Sequence, residues 1–333
     1  MDGFQNMDQP LRSHFAGTVS RELVHRQSVS EVFLTGIYSA GNDRYTVWGQ
    51  WPRWHVFYGS GSDRFDSALV VETLRQLTVL IAHTQLGVPL DRQFLMPTMS
   101  VAMASGATPD PWHPAEVTAE VLVREVKRTG QGIAGMRTIA TFWVNGRKIA
   151  EGTASARIVA PDAYERLRSR KMLPKQRLEV LPVSAGSVGH SSDWNVVVGK
   201  SDAPGCWPLR VDVSNPILFD HPLDHVPGVL LIEAVRQALR LALLEPAADF
   251  VTLDAQFISI AELGDESRVV LESLSDETGS LTVAASIQVE GTVLMRAIAE
   301  VRPLKVPLPV ADEDFYRKPV RTVTVGPRGS LHA

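Results

Sequence analysis

Twice in this chain of 333 residues a glutamate, an arginine and a glutamine stand at i, i+3 and i+4 inside a run that is otherwise apolar. The first run, "SALVVETLRQL", carries Glu72, Arg75 and Gln76, and the second, "PGVLLIEAVRQAL", carries Glu233, Arg236 and Gln237. Counterparts lie 161 positions apart (233 − 72, 236 − 75, 237 − 76), and Asp63 with Asp224 and Leu69 with Leu230 keep the same interval. A helix that is apolar nearly all round has to be enclosed by the rest of the chain. An unpaired carboxylate inside it would be costly, so the arginine and glutamine one turn on, sharing its face, are its expected companions. A device of this kind repeated at a fixed interval indicates a tandem duplication. "DRQF" at 91–94 and "DAQF" at 254–257, 163 positions apart, extend the match as if one loop had gained two residues.

The first helix is predicted over about Ser67 to Leu86, capped by Asp66 or Ser67 and stopped by Gly87 and Pro89. The second begins after Pro227, with Asp224 before it as a cap, and Glu245-Pro246 ends it. Asp63 and Asp224, recurring in register, are both read as capping residues. Two extended runs precede the first helix, and strand-like runs follow it, with Asn145-Gly146 marking a two-residue hairpin. The second half repeats this order from "NVVVG" and "PLRVDV" onwards. The chain thus divides into a polar leader (1–20), a first repeat (21–160), a linker (161–193), a second repeat (194–304) and a proline-rich C-terminal extension (305–333). The linker carries a basic run, Arg166 to Arg177, of the kind that meets an acidic carrier or simply faces water.

A formal net charge of −4 argues against a partner held by a strong positive field, so no nucleic acid is expected. The start lacks a basic stretch followed by an apolar core, and no run approaches a membrane span, so a soluble, cytoplasmic protein is expected. Cys206 is the single cysteine, which excludes an internal disulfide and a thiolate-only metal site. With no clustered Cys/His, no phosphate loop and no dinucleotide fingerprint, no metal and no cofactor are expected.

A long apolar helix entered from short strands and followed by an antiparallel sheet resembles the hotdog fold. Two of them imply an α+β tandem double hotdog, two antiparallel sheets each wrapping a buried central helix. "HPLDHVPGVLLIEA" is similar to the helix-entry motif of β-hydroxyacyl-carrier-protein dehydratases, but their catalytic histidine would fall near Phe219, whereas the histidines here are His221 and His225. "LVHRQSVSEVFLTG", "FDHPLDHVPGVLLIEAVRQA" and the doubled E-x-x-R-Q resemble the A-factor biosynthesis (AfsA-type) family, the γ-butyrolactone-type signal synthases of actinomycetes, from about Val24 to Leu304. The resemblance implies an acyltransferase that moves a 3-oxoacyl group from an acyl carrier protein or CoA thioester to dihydroxyacetone phosphate. It also makes Glu72, Glu233 and Arg236 the first-ranked site residues.

Acyl transfer to an alcohol needs a base, donors for an oxyanion and a cationic grip on the phosphate. Glu72 or Glu233, desolvated in its helix, would serve as base if its arginine does not offset the raised proton affinity. The amides after Pro227, those of Gly228 and Val229, suit an oxyanion at a helix N-terminus. Arg75 and Arg236 have the donor fork for phosphate, or serve only to neutralise their glutamates, with Gln76 and Gln237 beside them. His221 and His225 stand where one can orient the base or protonate the leaving thiolate. Paired halves would give two composite sites, one joining His221, His225 and Gly228 to Glu72 and Arg75, the other joining Glu233 and Arg236 to the region of His55 and Tyr58. A dehydratase or thioesterase, and a non-catalytic acyl-binding or regulatory pair, remain as alternatives. The chain would act as a pseudo-dimeric monomer or as a homodimer.

Overall fold

The computed structural model describes residues 14–58, 64–130, 132–168, 179–201, 203–277 and 280–301. Asp63, the basic residues at 170, 171, 175 and 177, and the extension 305–333 lie outside the described residues.

Alternating apolar and polar side chains form two strands, β1 (Leu34–Gly41) and β2 (Arg44–Trp51), which pair antiparallel ahead of helix α1 (Ser67–Gln85). Asp66 caps α1 by accepting the Ala68 amide, as its position before the apolar run predicts. Strands β3 (Gln93–Met103), β4 (Ala115–Thr129), β5 (Gly132–Val144) and β6 (Arg147–Val159) follow, the last two joined at Asn145-Gly146, and a short helix α2 (Pro161–Arg168) leaves the first half. Among the described residues of the second half, the three-residue β7 (Cys206–Pro208) is the one strand before helix α3 (Gly228–Leu243). Strands β8 (Phe250–Phe257), β9 (Ser267–Glu277), β10 (Ser280–Val289) and β11 (Thr292–Val301) complete it. The expected strands "NVVVG" and "PLRVDV" are reduced to β7 and isolated bridges such as Val198 with Leu209. Pro208, which opens the second of these runs, has no amide for a ladder.

The two sheets join edge to edge. β3 pairs with β8, giving one eleven-stranded antiparallel sheet in the order β1-β2-β4-β5-β6-β3-β8-β11-β10-β9-β7. Ser100 faces Asp254 across this seam, and Thr98 pairs with Ser155 as Thr252 pairs with Glu300. Equivalent positions of β3 and β8 are therefore 154 apart (254 − 100), not 163. The "DRQF" and "DAQF" match is thus a coincidence of composition: Phe94 opens β3, whereas Phe257 closes β8. Both helices are buried against the sheet, their Leu74, Leu77, Leu230 and Leu239 fully so, and the two helices touch each other.

Asp224 is not the cap of α3. The residue before the helix is Pro227, with no side-chain cap, while Asp224 accepts from the Tyr164 hydroxyl, Arg168 and His225. Three residues, the last of them Pro227, separate Asp224 from the first residue of the helix, enough to carry its carboxylate to α2 instead.

Candidate active site

The repeated triplet does the same local work in both helices. Gln76 accepts the Phe33 amide and donates to the Glu31 carbonyl, and Gln237 does the same with Val197 and Asn195. Each glutamine thereby stitches the incoming chain onto its helix and also donates to its own glutamate. Ahead of each stitch lies a short 3-10 helix, residues 21–24 or 185–188, ended by a left-handed residue, His25 or Gly189. The next residue reaches the buried acid: Arg26 contacts Glu72 at 2.6 Å and His190 contacts Glu233 at 2.8 Å.

Both glutamates are fully enclosed. Burial alone would push the Glu72 carboxyl up, but Arg26, Arg75 and the Gln76 amide together hold it at about 2. Glu233 is likewise driven well below the usual carboxylate range, the penalty of burial being outweighed by Arg236 and His190. The arginines more than offset desolvation, and the oxygens of both carboxylates are taken up by hydrogen bonds to Arg26, Arg75 and Gln76 or to His190, Arg236 and Gln237, so neither offers a free lone pair to a substrate hydroxyl. Neither belongs to the wall of the cavity described below.

The two helix entrances differ. At α1, Asp66 caps the helix, the Ser67 amide donates to Asp249 at 2.9 Å, and Arg236 closes over the end with 2.6 Å to Asp66 and 3.5 Å to Asp249. Arg236 is 1% exposed and its fork is occupied by Glu233 and Asp66, which removes it from contact with a phosphate. Glu233 and Arg236 are thus not brought to an open site with His55 and Tyr58.

At α3 a cavity of about 470 Å³ opens instead. From the first half it is lined by His25, Arg26, Arg75 and Phe94, and from the second by His221, His225, Gly228 and Phe257. A Cβ on Gly228 would stand 3.0 Å from the Phe257 ring, so glycine lets that ring pack against the first turn, which has no side-chain cap. Arg75 holds Glu72 with Nε at 2.9 Å and Nη2 at 2.8 Å, and its side chain is 20% exposed. Its Nη1 has no partner among the described residues. His221 and His225 turn Nδ1 to neighbouring carboxylates, Asp220 at 3.4 Å and Asp224 at 2.7 Å. Asp220 also accepts the Gln27 and Ser28 amides; these bonds and His221 outweigh its burial and hold it at about 2. One carboxylate thus ties the 3-10 turn of the first half to the helix-entry loop of the second. The linker helix adds to this wall through Leu167, with Arg168 bound to Asp224 and Glu262.

Sequence reasoning passed over His25 and His83. Their Nε2 atoms lie 2.9 Å apart, 58 residues separated in sequence, and both rings sit against Phe94. Nothing local announces such a pair; the only trace is that His25 falls within "LVHRQSVSEVFLTG".

The profile of the A-factor biosynthesis hotdog domain matches residues 7–160 and 174–303. A 2-oxo-3-(phosphooxy)propyl 3-oxoalkanoate synthase of Streptomyces virginiae is 36% identical over 255 residues, 74% of this chain and 84% of that protein. A protein of the same name from Streptomyces coelicolor is 38% identical over 223 residues, 66% of this chain and 71% of its own. Among solved structures, one described as an oleoyl thioesterase from Lactobacillus plantarum superposes with a TM-score of 0.52, over 80% of this chain and 99% of that one, at 13% identity, a likeness of fold alone. Matched in both halves, and with its duplicated helices each sheathed by half of one sheet, the chain belongs to the A-factor biosynthesis hotdog family.

Proposed function

We infer that this protein is an acyltransferase that makes a 2-oxo-3-(phosphooxy)propyl 3-oxoalkanoate, joining the 3-oxoacyl group of a thioester to the hydroxyl of dihydroxyacetone phosphate. Family membership and relatives of that name, of whose lengths the chain covers 84% and 71%, support the reaction. The observation that carries the site is the cavity where the uncapped start of α3 meets the guanidinium of Arg75.

In this reading the thioester carbonyl oxygen rests on the Gly228 and Val229 amides, where the helix dipole favours the developing negative charge. The acceptor's phosphate is held by Arg75. Glu72 serves as the fixed anvil for Arg75 and Arg26 rather than as base, and Glu233 with Arg236 locks the counterpart end. Gln76 and Gln237 act through the backbone they stitch. As the hydroxyl oxygen bonds to the carbonyl carbon, the C–S bond breaks and the hydroxyl's proton ends on sulfur. His221 and His225 hydrogen-bond to the departing sulfur. The exposed Arg157, also at the cavity, faces the carrier, acidic whether acyl carrier protein or CoA. This chemistry needs only small, diffusible or carrier-borne partners, which fits a cytoplasmic enzyme; no described helix is long and apolar enough to cross a membrane. The boundaries 21–160 and 194–304 are proposed as the two repeats, with 161–193 linking them.

The test is to incubate the purified protein with a 3-oxoacyl thioester, with and without dihydroxyacetone phosphate, and to follow free thiol and the phosphorylated ester by mass spectrometry. Thiol release should require the phosphate compound, and Arg75→Lys should raise its KM by roughly 10- to 100-fold while changing that of the thioester little. Release that ignores the acceptor would instead make the protein a thioesterase.

A further inference from the structure

The cavity carries a histidine that no part of the reading above uses. His25 occupies a left-handed backbone conformation, φ 52°, at the position where the other half has Gly189, φ 72°. A residue with a side chain is disfavoured there. At this turn the first half, which faces the open cavity, holds a side chain in that conformation and the second half does not.

Its tautomer is set by hydrogen bonding. His83 Nδ1 lies 2.8 Å from the Val88 carbonyl, which only accepts, so the His83 proton sits on Nδ1. His83 Nε2 is then the acceptor, and the 2.9 Å contact requires His25 to carry its proton on Nε2. That leaves the His25 Nδ1 lone pair bare, without a partner among the described residues, on a ring that lines the cavity beside Arg75 and His221.

We propose that His25 Nδ1 takes the proton from the hydroxyl of the acyl acceptor, and that His83 is the positioning residue that holds His25 in the tautomer able to do so. The hydroxyl's proton passes to Nδ1 as the C–O bond forms, and it returns from Nδ1 to sulfur as the C–S bond breaks, so the ring ends as it began. Burial, His83, Arg75 and His221 keep His25 neutral, with its pKa lowered to about 3, and burial lowers that of His83 as well. A phosphate held by Arg75 neutralises one of the charges that lower it, a smaller cause than burial.

This role rests on the acyltransfer reading, and the experiment separates the two. Wild-type protein, His25→Gly, His83→Gln and His83→Leu are compared for ester formation and thermal stability. His25→Gly restores the residue that the other half uses, so Tm should stay level or rise while kcat falls on the order of 10²-fold or more. Added imidazole should return part of that loss. His83→Gln can still donate to Val88 and accept from His25, and is expected to stay within roughly 10-fold of wild type, whereas His83→Leu falls with His25→Gly. Histidine ¹⁵N shifts should give His25 the Nε2–H tautomer. Full activity in His25→Gly, or the Nδ1–H tautomer, would overturn the role of His25 and leave the acyltransfer reading standing. Inert wild-type protein, with no acceptor-dependent ester, would instead remove that reading and this one with it.

Discussion

Glu72 and Glu233 were expected as bases, and each turns out to be the centre of a closed ion cluster. The pairing with Arg75 and Arg236 was legible, because spacing along a helix fixes which side chains share a face. What spacing could not give was the second partner on each acid, Arg26 or His190, which arrives from 46 or 43 residues away and adds to the lowering of its pKa. Glu72→Gln leaves Arg26 and Arg75 facing an uncharged amide, and should destabilise the protein by about 3–5 kcal/mol in urea unfolding at pH 7. The pH dependence follows from the depressed carboxyl. Glu72 contributes stability fully above its unfolded value, roughly 4.3, and that contribution is lost as pH falls towards its folded value of about 2. Between about pH 5 and 2, therefore, the wild type should lose part of its advantage over Glu72→Gln, measured as the difference in unfolding free energy.

Elements rather than residues decide which entrance is open. Both helices were readable from their apolar runs, and the first from its cap as well. The contrast between Asp66-Ser67 and Pro227-Gly228 was visible too, since a carboxylate at a helix start repels an oxyanion. The closing role of Asp249 was not, because it comes from the strand side of the other half and sits 182 residues from Ser67. Composition likewise concealed that the entry strands of the second half would shrink to β7. Gly228→Ala tests the open entrance. The added methyl meets Phe257 at 3.0 Å, so kcat/KM for the thioester should fall by 10-fold or more, with about 1–3 kcal/mol of destabilisation from the displaced ring. An unchanged kcat/KM would separate the chemistry from this helix end.

For the molecule as a whole, the duplication was legible and its mode of assembly was not. Strand runs reveal two sheets, but only the register of Ser100 with Asp254 makes them one. The entrances descend from a single ancestral feature, yet Asp66, Asp249 and Arg236 occupy one of them. A non-hydrolysable 3-oxoacyl analogue should accordingly titrate at one equivalent per chain in calorimetry, and two equal equivalents would contradict the closure. The seam has a further meaning. Since His25 and Arg75 come from one copy and Gly228 and His221 from the other, neither copy owns the mouth between them. Two fragments cut within the linker would each be mute, and would regain a voice only by zipping β3 to β8 again, so that the seam between the halves is an internal condition of catalysis.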